Sequence, residues 1–385
     1  MKTPFKIFAL MLITSLQVQS QIKDIYKESF DATNLKSLVL DLEGTYVVIE
    51  ASEDNKVYFD YTIEFENYSN KEIEKILKAV EPESQIVNDK LEFKSKGSNI
   101  SSDVSYSIET LYGITFEGDY INFKEPTTRM FRKSKHYFLD INSSSRGKSL
   151  KEYLKKLREV DDKGEKRKIN SKNVKILRTK FTIKIPSHLN LRLMAVNSNM
   201  TFKLDLESQL NVNARNTSLK FQSIQNPLNN LDIVNGSFRS NTLNGGSYKF
   251  NHVDEVQIAE VRNLTIDGEF STTKIGEVGK NVKIVDFNGK FWLHNFSQDF
   301  KSFQMDTEYS EINLFYPENM DYYIETYGND TVHYYGNVIT EIPPSRKNEL
   351  SKMMVIGEES NPNKIQINTA HGIIRFGSDF IDLGE

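Results

Sequence analysis

The fold is decided by residues 197–238, NSNMTFKLDLESQLNVNARNTSLKFQSIQNPLNNLDIVNGSF, in which one pattern occurs three times. Asn197, Asn216 and Asn235 stand 19 residues apart, and each is followed three residues later by an apolar residue. Asparagine tolerates the left-handed backbone of a tight corner, and stacked amides can hydrogen-bond from one repeat to the next. Because a repeat this short cannot bury its own apolar face, the copies must stack. The spacing therefore predicts a solenoid.

The apolar position continues through the rest of the chain, and the same Asn offset recurs at Asn288 and Asn329. The predicted inward column is Met200, Leu219, Phe238, Leu264, Phe291, Ile312, Val332 and Ile373. Alternating apolar residues on both sides of each corner predict two short strands per repeat, each with one buried face. Since connections between parallel strands are right-handed by strong preference, we predict an all-β fold. Its form is a right-handed, single-stranded parallel β-solenoid (a β-helix) with short helical insertions.

Two stretches make the chain look familiar: FTIKIPSHLNLRLMAVNSNMTF at 181–202, and LVLDLEGTYVVIEASEDNKVYFDYTIEF at 38–65. They resemble bacterial adhesin-like β-solenoid domains of unknown function, in which a strand with a proline-bearing turn opens a series of Asn- or Gly-cornered rungs. In the second stretch we expect Gly44 at the corner, with Tyr46 and Val48 facing inward. The likeness runs from about Leu35 to Phe376. It implies the fold and supplies no catalytic residues.

Four segments are predicted along the chain. They are a signal peptide at 1–20, an N-terminal β region with an opening rung and one short helix at 21–145, a basic helical insertion at 146–180, and the main solenoid at 181–385. A loop insertion at 339–361 interrupts the solenoid, and it contains a predicted helix from Ser345. The short helix of the N-terminal region is expected after Ser69, because Ser69 and Glu72 have the spacing of a capping box.

The basic insertion carries 14 basic and 5 acidic side chains. Ser149 and Glu152 match a second capping box, followed by apolar residues at helical spacing. In an exported protein this segment could meet anionic envelope polymers or lipid head groups, whereas nucleic acid is not expected. The alternative is a helix that packs between acidic regions of its own fold, since charge runs are usually solvated faces.

The segment 1–20 has the pattern of a secretory signal: Lys2 and Lys6, an apolar run at 7–16, and small residues before Gln21. The apolar run is too short to span a bilayer, and no later segment approaches that length. We therefore expect an exported protein without a transmembrane anchor, in the periplasm or else on the cell surface or secreted. The chain has no cysteine, which excludes disulfides, thiolate metal sites and a cysteine nucleophile.

No catalytic, metal-binding or cofactor-binding motif is present in the sequence, and we predict no cofactor. The six histidines are dispersed. The alternative function is a carbohydrate-active β-helix enzyme, a polysaccharide lyase or hydrolase, which would need carboxylates at a defined separation. Its best candidates are Glu260, Asp286 and Glu308.

One surface stands out from this polar background. In the later repeats, the positions that should face outward become aromatic: Trp292, His294, Phe315, His333 and Tyr335. Such a strip requires a partner or a cover. The partner classes left open are an envelope polymer, a carbohydrate or a protein, and the candidate cover is the 339–361 insertion with Met353 and Met354. The sequence thus predicts a non-enzymatic, adhesin-like scaffold or envelope-associated interaction protein.

Overall fold

A computed structural model describes residues 20–97 and 175–377, apart from 316–320, 337, 346 and 348, together with five short strands between 103 and 169. The predicted signal peptide, except Ser20, and most of the basic insertion lie outside the described residues. The chain divides into two compact units. The first comprises residues 1–27, 60–81 and 97–181, and the second comprises residues 28–59, 82–96 and 182–385.

The described residues are almost entirely β-strand. The only helix among them, α1 (Asn70–Leu77), begins with the predicted capping box, in which Ser69 and Glu72 each bond to the other's backbone. Strands outside the two ladders defined below are β1 (Ser20–Asp31), β4 (Lys56–Glu66), β5 (Val80–Val87), β7 (Asp103–Tyr106), β8 (Ile108–Glu109), β9 (Thr115–Phe116), β10 (Tyr137–Asp140), β11 (Lys168–Ile169), β12 (Lys175–Ile185), β15 (Asp205–Leu206), β28 (Val338–Ile342) and β29 (Ser351–Ile356).

The second unit is built on two parallel ladders, joined by corners at which the chain turns from one ladder into the other. The first ladder is, in spatial order, β6 (Lys90–Gly97), β2 (Ser37–Glu43), β13 (Asn190–Val196), the first halves of β16 (Leu210–Ile224) and β17 (Asn230–Asn244), β18 (Ser247–Asn251), β20 (Leu264–Glu269), β22 (Asn281–Phe287), β24 (Ser302–Glu308), β30 (Lys364–Ala370) and β26 (Tyr323–Asn329).

The second ladder follows the corners. It is, in spatial order, β3 (Tyr46–Ala51), β14 (Asn199–Phe202), the second halves of β16 and β17, β19 (Glu255–Arg262), β21 (Thr272–Val278), β23 (Lys290–Leu293), β25 (Glu311–Phe315), β31 (Ile373–Gly377) and β27 (Thr331–Tyr335). A strand of the first ladder and the strand that follows its corner form what we call a rung.

The registers agree with the repeat in the sequence. Leu219 lies opposite Phe238, and Met200 lies opposite Leu219, so each residue faces its equivalent in the next repeat. Five members of the predicted inward column are buried in the second ladder, namely Met200, Leu219, Phe238, Phe291 and Ile312. Aromatic rings stack between these rungs: the ring centroids of Phe202 and Phe221 are 4.2 Å apart. The buried side chains of each rung therefore pack against those of its neighbours.

The corners share one backbone conformation. The corner residue has a positive φ on every rung, from 49° to 62°, in the series Gly44, Asn197, Asn216, Asn235, His252, Phe270, Asn288, Tyr309, His371 and Asp330. The predicted amide ladder is present at one pair, where Asn235 Nδ2 donates to Asn216 Oδ1 at 3.0 Å. On many rungs the next residue is Ser or Thr. The Thr217 hydroxyl, for instance, donates to the Arg215 carbonyl across the corner at 2.9 Å.

Two corners between Asn235 and Asn288 are not occupied by asparagine or glycine, and the sequence pattern therefore did not identify them. His252 and Phe270 divide the chain between Asn235 and Asn288 into nearly even intervals, so the repeat does not lengthen here as the apolar column suggested. The inward residues after His252 and Phe270 are Val256 and Thr273, in register with Phe238 and Phe291. Leu264 is buried, but it belongs to the first ladder opposite Val282. Its place in the predicted column was wrong.

At both ends of the predicted column the phase is wrong by one residue. Gly44 is a corner as predicted, but Val47 and Ile49 are buried, whereas Tyr46 and Val48 are only partly covered. Likewise the last corner is Asp330 rather than Asn329, so His333 and Ile374 face inward in place of Val332 and Ile373. Since side chains alternate along a strand, a shift of one residue reverses every facing.

The chain does not stack its rungs in sequence order. The rung β2–β3 lies beside β13–β14, although much of the chain separates the two. The final rung, β30–β31, inserts between β24–β25 and β26–β27. Sequence periodicity carries no information on this order, because parallel pairing is satisfied equally by any neighbour of the same register.

The sheet is mixed, because antiparallel strands pair with the last rung. The insertion predicted as a loop with a helix from Ser345 instead supplies β28, which pairs with β27, and β29, which pairs with β26. Met353 and Met354 lie on β29, and the sulfur of Met353 packs against Gly328. An open ladder edge exposes unpaired backbone groups. β28 and β29 pair with these backbone groups at the edge. Sequence signals for a local helix carry no information about such pairing.

Candidate functional site

The candidate site is the outer face of the second ladder. Strand β23 alternates between buried and partly exposed residues, and this alternation turns Phe291 and Leu293 inward and Trp292 outward. Pairing places one side chain from each of eight consecutive rungs in a single row. That row, which we call the outer strip, is Lys220, Arg239, Gln257, Lys274, Trp292, Asn313, Arg375 and Tyr334. Asn313 is its buried member and donates to the Phe291 carbonyl.

The later part of the outer strip contains two pairs of a cation and an aromatic ring. The Lys274 ammonium lies 5.6 Å from the centre of the Trp292 ring. The Arg375 guanidinium lies 5.4 Å from the centre of the Tyr334 ring, and it also forms an ion pair with Glu311. Such contacts hold both partners in defined positions, because a ring face attracts a cation electrostatically. The strip thus presents ordered aromatic and cationic groups.

Beside Trp292, two half-buried side chains form a second row. The rings of His294 and Phe315 are stacked, with centroids 5.7 Å apart and planes 3° from parallel. Burial, and secondarily the positive charge of Lys274, lowers the pKa of His294. The imidazole is therefore neutral at physiological pH, and it acts as a flat polar ring rather than as a cation.

The earlier part of the outer strip forms a shallow groove of about 340 Å³. Ala259 and Gly276 leave space in it, and Lys220, Arg239 and Lys274 line it. Arg239 donates a hydrogen bond to Glu255 at 2.7 Å. Lys220 and Lys274 are exposed. Sequence reasoning missed this groove. A signal was available, since Lys220, Arg239 and Lys274 each follow a corner residue by four positions.

The structure divides the five predicted partner-binding residues. Trp292, His294 and Phe315 lie on the outer face of neighbouring rungs. His333 is only 3% exposed and faces inward, which corrects its predicted outward position. Burial lowers its pKa, and its Nε2 has no hydrogen-bond partner among the described residues. Tyr335 is exposed, but it lies in the inward phase of β27, opposite Val338 of the antiparallel edge.

The three carboxylates considered for catalysis are not brought together. Glu260 lies on the second ladder and pairs with Arg262. Glu308 is the exposed last residue of β24. Asp286 is buried in the core, where its Oδ2 accepts from the Gly289 amide at 2.8 Å and from the Ser310 hydroxyl at 2.6 Å. Burial raises the pKa of Asp286 to about 6. This trio offers no pair flanking a common space.

Among the residues that the structure describes, no group of three or more His, Asp or Glu side chains stands close enough to hold a metal ion. No helix in the described part of the chain has the length and apolar character needed to cross a membrane.

Comparison with known proteins gives no family. No family model matches the chain, and no curated protein matches it either. Among solved structures, a protein of Clostridium sporogenes provisionally named a cell adhesion protein has 11% identity over 94% of this chain and 99% of its own, with a TM-score of 0.17. A protein of Parabacteroides distasonis provisionally named lipid binding has 7% identity over 94% and 98%, with a TM-score of 0.32. A provisionally named adhesin of Bacteroides fragilis has 10% identity over 94% and 100%, with a TM-score of 0.24.

Proposed function

We propose that this chain is an exported, non-enzymatic, adhesin-like scaffold that binds an anionic polymer of the cell envelope through its outer strip. The two parallel ladders are then rungs of a right-handed β-solenoid, a shape suited to holding binding groups at fixed spacing. The periplasm is the expected compartment, with the cell surface or the medium as alternatives.

The observation that carries the proposal is the position of Trp292 at the end of the basic groove. Lys220, Arg239 and Lys274 offer positive charge along neighbouring rungs, and Trp292 adds a flat apolar ring in the same row. Cations attract anionic groups, while a rigid aromatic side chain contributes contact area with few rotatable bonds to immobilise. An acidic sugar polymer provides both chemistries, because its rings have apolar faces and its carboxylates are spaced along the chain.

Because Trp292 is the only tryptophan, its fluorescence reports directly on this surface. We expect polygalacturonate to change the emission of the mature chain, residues 21–385, in a saturable and salt-sensitive manner. A highly methyl-esterified pectin, which lacks most of the negative charge, should change it much less. Lys220→Ala combined with Lys274→Ala should weaken binding at least tenfold, whereas Lys249→Ala, an exposed lysine on the first ladder, should leave it unchanged. Equal responses to both polymers would contradict the proposal.

The enzymatic alternative is tested on the same material. We expect no release of reducing ends or unsaturated products from either polymer, with or without calcium. Reproducible cleavage that is lost in Glu260→Gln or Glu308→Gln would replace the scaffold proposal with an enzyme.

A further inference from the structure

A second exposed surface runs along the corners, away from the outer strip. Five aromatic side chains follow one another on consecutive rungs. They form what we call the aromatic ridge: His252, Phe270, Phe287, Tyr309 and His371. The distances between successive ring centroids are 4.8, 5.5, 5.6 and 4.8 Å. Phe270, Phe287 and Tyr309 are each 39–49% exposed.

The backbone makes this ridge costly. His252, Phe270, Tyr309 and His371 occupy corner positions with φ between 49° and 57°. Phenylalanine and tyrosine rarely adopt this conformation, whereas histidine does so more often. The strain therefore lies at Phe270 and Tyr309, and such strain is concentrated at functional sites. The Asn288 rung keeps asparagine at its corner, and its ring comes from Phe287, the residue before. The ridge is thus continuous, although four of its rings come from corner residues and one comes from the residue before a corner.

The fold itself does not require aromatic corners. Asn197, Asn216, Asn235 and Asn288 occupy the same place with the same sign of φ. Asparagine is suited to that conformation, and its amide can bond to the next rung. Aromatic rings at these corners expose apolar surface to water instead. A ligand-binding role accounts for both the strain and the exposure.

Polar groups beside the ridge define the ligand chemistry. The row that immediately precedes the corners contains Asn251, Glu269, Phe287, Glu308 and Ala370. At the end of the ridge, His371 Nδ1 lies 2.8 Å from Asp330 Oδ2. Apart from the two histidines, the charged side chains of the ridge and this row are acidic, so an anionic polymer or an anionic lipid surface would be repelled. Carboxylates and amides instead accept and donate hydrogen bonds to hydroxyl groups.

We propose that the aromatic ridge binds a neutral glycan chain that lies along the ladders, with about one sugar ring per rung. The apolar face of each sugar ring packs against the exposed part of an aromatic side chain, and its hydroxyls donate to Glu269 and Glu308. Successive rings are edge-to-face from Phe270 to Tyr309 and stacked between Tyr309 and His371. The rung spacing places one ring-sized apolar group per rung, which fits a chain of repeating ring-sized units better than it fits a peptide or an acyl chain. The site is separate from the outer strip, and the inference does not depend on the function proposed for that strip.

The test uses affinity electrophoresis of the mature chain in gels that contain a neutral polymer. The probes are hydroxyethyl-cellulose, laminarin and a neutral mannan, and carboxymethyl-cellulose serves as the anionic counterpart of the first. We expect retardation by at least one neutral polymer. If hydroxyethyl-cellulose is the one that binds, carboxymethyl-cellulose should bind at least tenfold more weakly. Retardation by none of the three neutral polymers overturns the inference.

The variant replaces the ridge with the residue that the fold uses elsewhere. Phe270→Asn, Tyr309→Asn and His371→Asn together should weaken glycan binding at least tenfold while leaving the melting temperature unchanged or higher. Unchanged binding, or a large fall in melting temperature without a binding defect, shows that the ridge is structural and overturns the inference. Trp292→Ala is the matched control. It should spare neutral-glycan binding, and Trp292 fluorescence should not respond to the neutral polymer, so failure at one surface is distinguished from failure at the other.

Discussion

The early rungs have their corners at Asn197, Asn216 and Asn235, and the late rungs have theirs from Phe270 to His371. The early rungs are apolar inside and polar at their corners, whereas the late rungs have polar residues inside and aromatic rings at their corners. One inward column of the first ladder shows the change. It reads Ala195, Ala214 and Ile233 in the early rungs, and Gly268, Asp286, Thr307 and Thr369 in the late rungs. Outside, the trend is reversed, from amide corners to the exposed rings of the aromatic ridge.

Several of the buried polar groups in the late rungs have hydrogen-bond partners inside the fold. The Thr307 hydroxyl donates to Thr369 at 2.9 Å, and Ser310 donates to Asp286. Because buried hydrogen bonds contribute less net stability than apolar burial of the same size, the late rungs should be the less stable part. They also carry Trp292 and most of the aromatic ridge, whereas Lys220 and Arg239 of the basic groove lie on the early rungs.

The largest expected difference between the two regions comes from the core. Phe238 in the early rungs is fully buried, with Phe250 at 5.1 Å between ring centroids. Phe238→Ala should lower the free energy of unfolding by about 3–5 kcal/mol, because it removes apolar contacts and leaves a cavity. Thr307→Ala in the late rungs removes one buried hydrogen bond and should cost only about 1–3 kcal/mol. Urea unfolding followed by circular dichroism compares the two. Equal losses would remove the distinction between the regions.

A second prediction concerns the pH dependence that Asp286 confers on the late rungs. Burial raises its pKa from 3.8 to about 6, so the folded state holds this proton more tightly than the unfolded state. The free energy of unfolding should therefore fall as pH rises from about 4 to about 6, by about 2 kcal/mol. Asp286→Asn removes the titrating group and keeps an oxygen for Gly289 and Ser310.

The variant should consequently be more stable than the wild type by about 2 kcal/mol at pH 7.5, and the difference should disappear near pH 4. Urea midpoints measured at both pH values check this. A stability difference of the same size at both pH values would mean that the pKa of Asp286 is not raised in the folded protein. Asp232→Asn, at a partly exposed first-ladder position of the early rungs, is measured alongside as the comparison variant.

The smallest effect is expected at the corners of the early rungs. Asn235→Ala should lower the free energy of unfolding by about 1–2 kcal/mol, because alanine lacks the tolerance of asparagine for a φ of 59° and cannot donate to Asn216. Asn235→Gly should cost less, since glycine adopts the same conformation without strain, as Gly44 does in the first rung. Thermal unfolding of both variants distinguishes these effects. Losses of equal size would assign the contribution to the amide bond alone.

The sequence predicted structural elements correctly where one residue type indicates one local structure. Asparagine at a corner with an apolar residue three positions later identified the rungs at Asn197, Asn216, Asn235 and Asn288, and the Ser69 capping box identified α1. It failed at His252 and Phe270, because aromatic residues are poor indicators of a left-handed corner. It failed again at Asn329, whose side chain is buried and accepts from the Ser345 amide at 2.7 Å instead of forming the corner.

The candidate surfaces were only partly predictable for the same reason. Trp292, His294 and Phe315 were found because the phase was correct in β23 and β25. His333 was misplaced because a shift of one residue turns a strand over. The basic groove and the aromatic ridge were missed, since each is assembled from single residues of separate rungs.

By itself, the sequence determined that this protein is almost entirely β and that short strands with one apolar face turn at asparagine corners. These features follow from local preferences: the alternation of side chains along a strand and the backbone tolerance of asparagine. Only the tertiary structure decided which rungs are neighbours, where β30–β31 inserts, and which strands close the exposed edge. It also decided that the corner rings of separate rungs meet in one ridge. Those outcomes depend on hydrogen bonds between strands that are distant in the chain, and any strand of matching register can satisfy them.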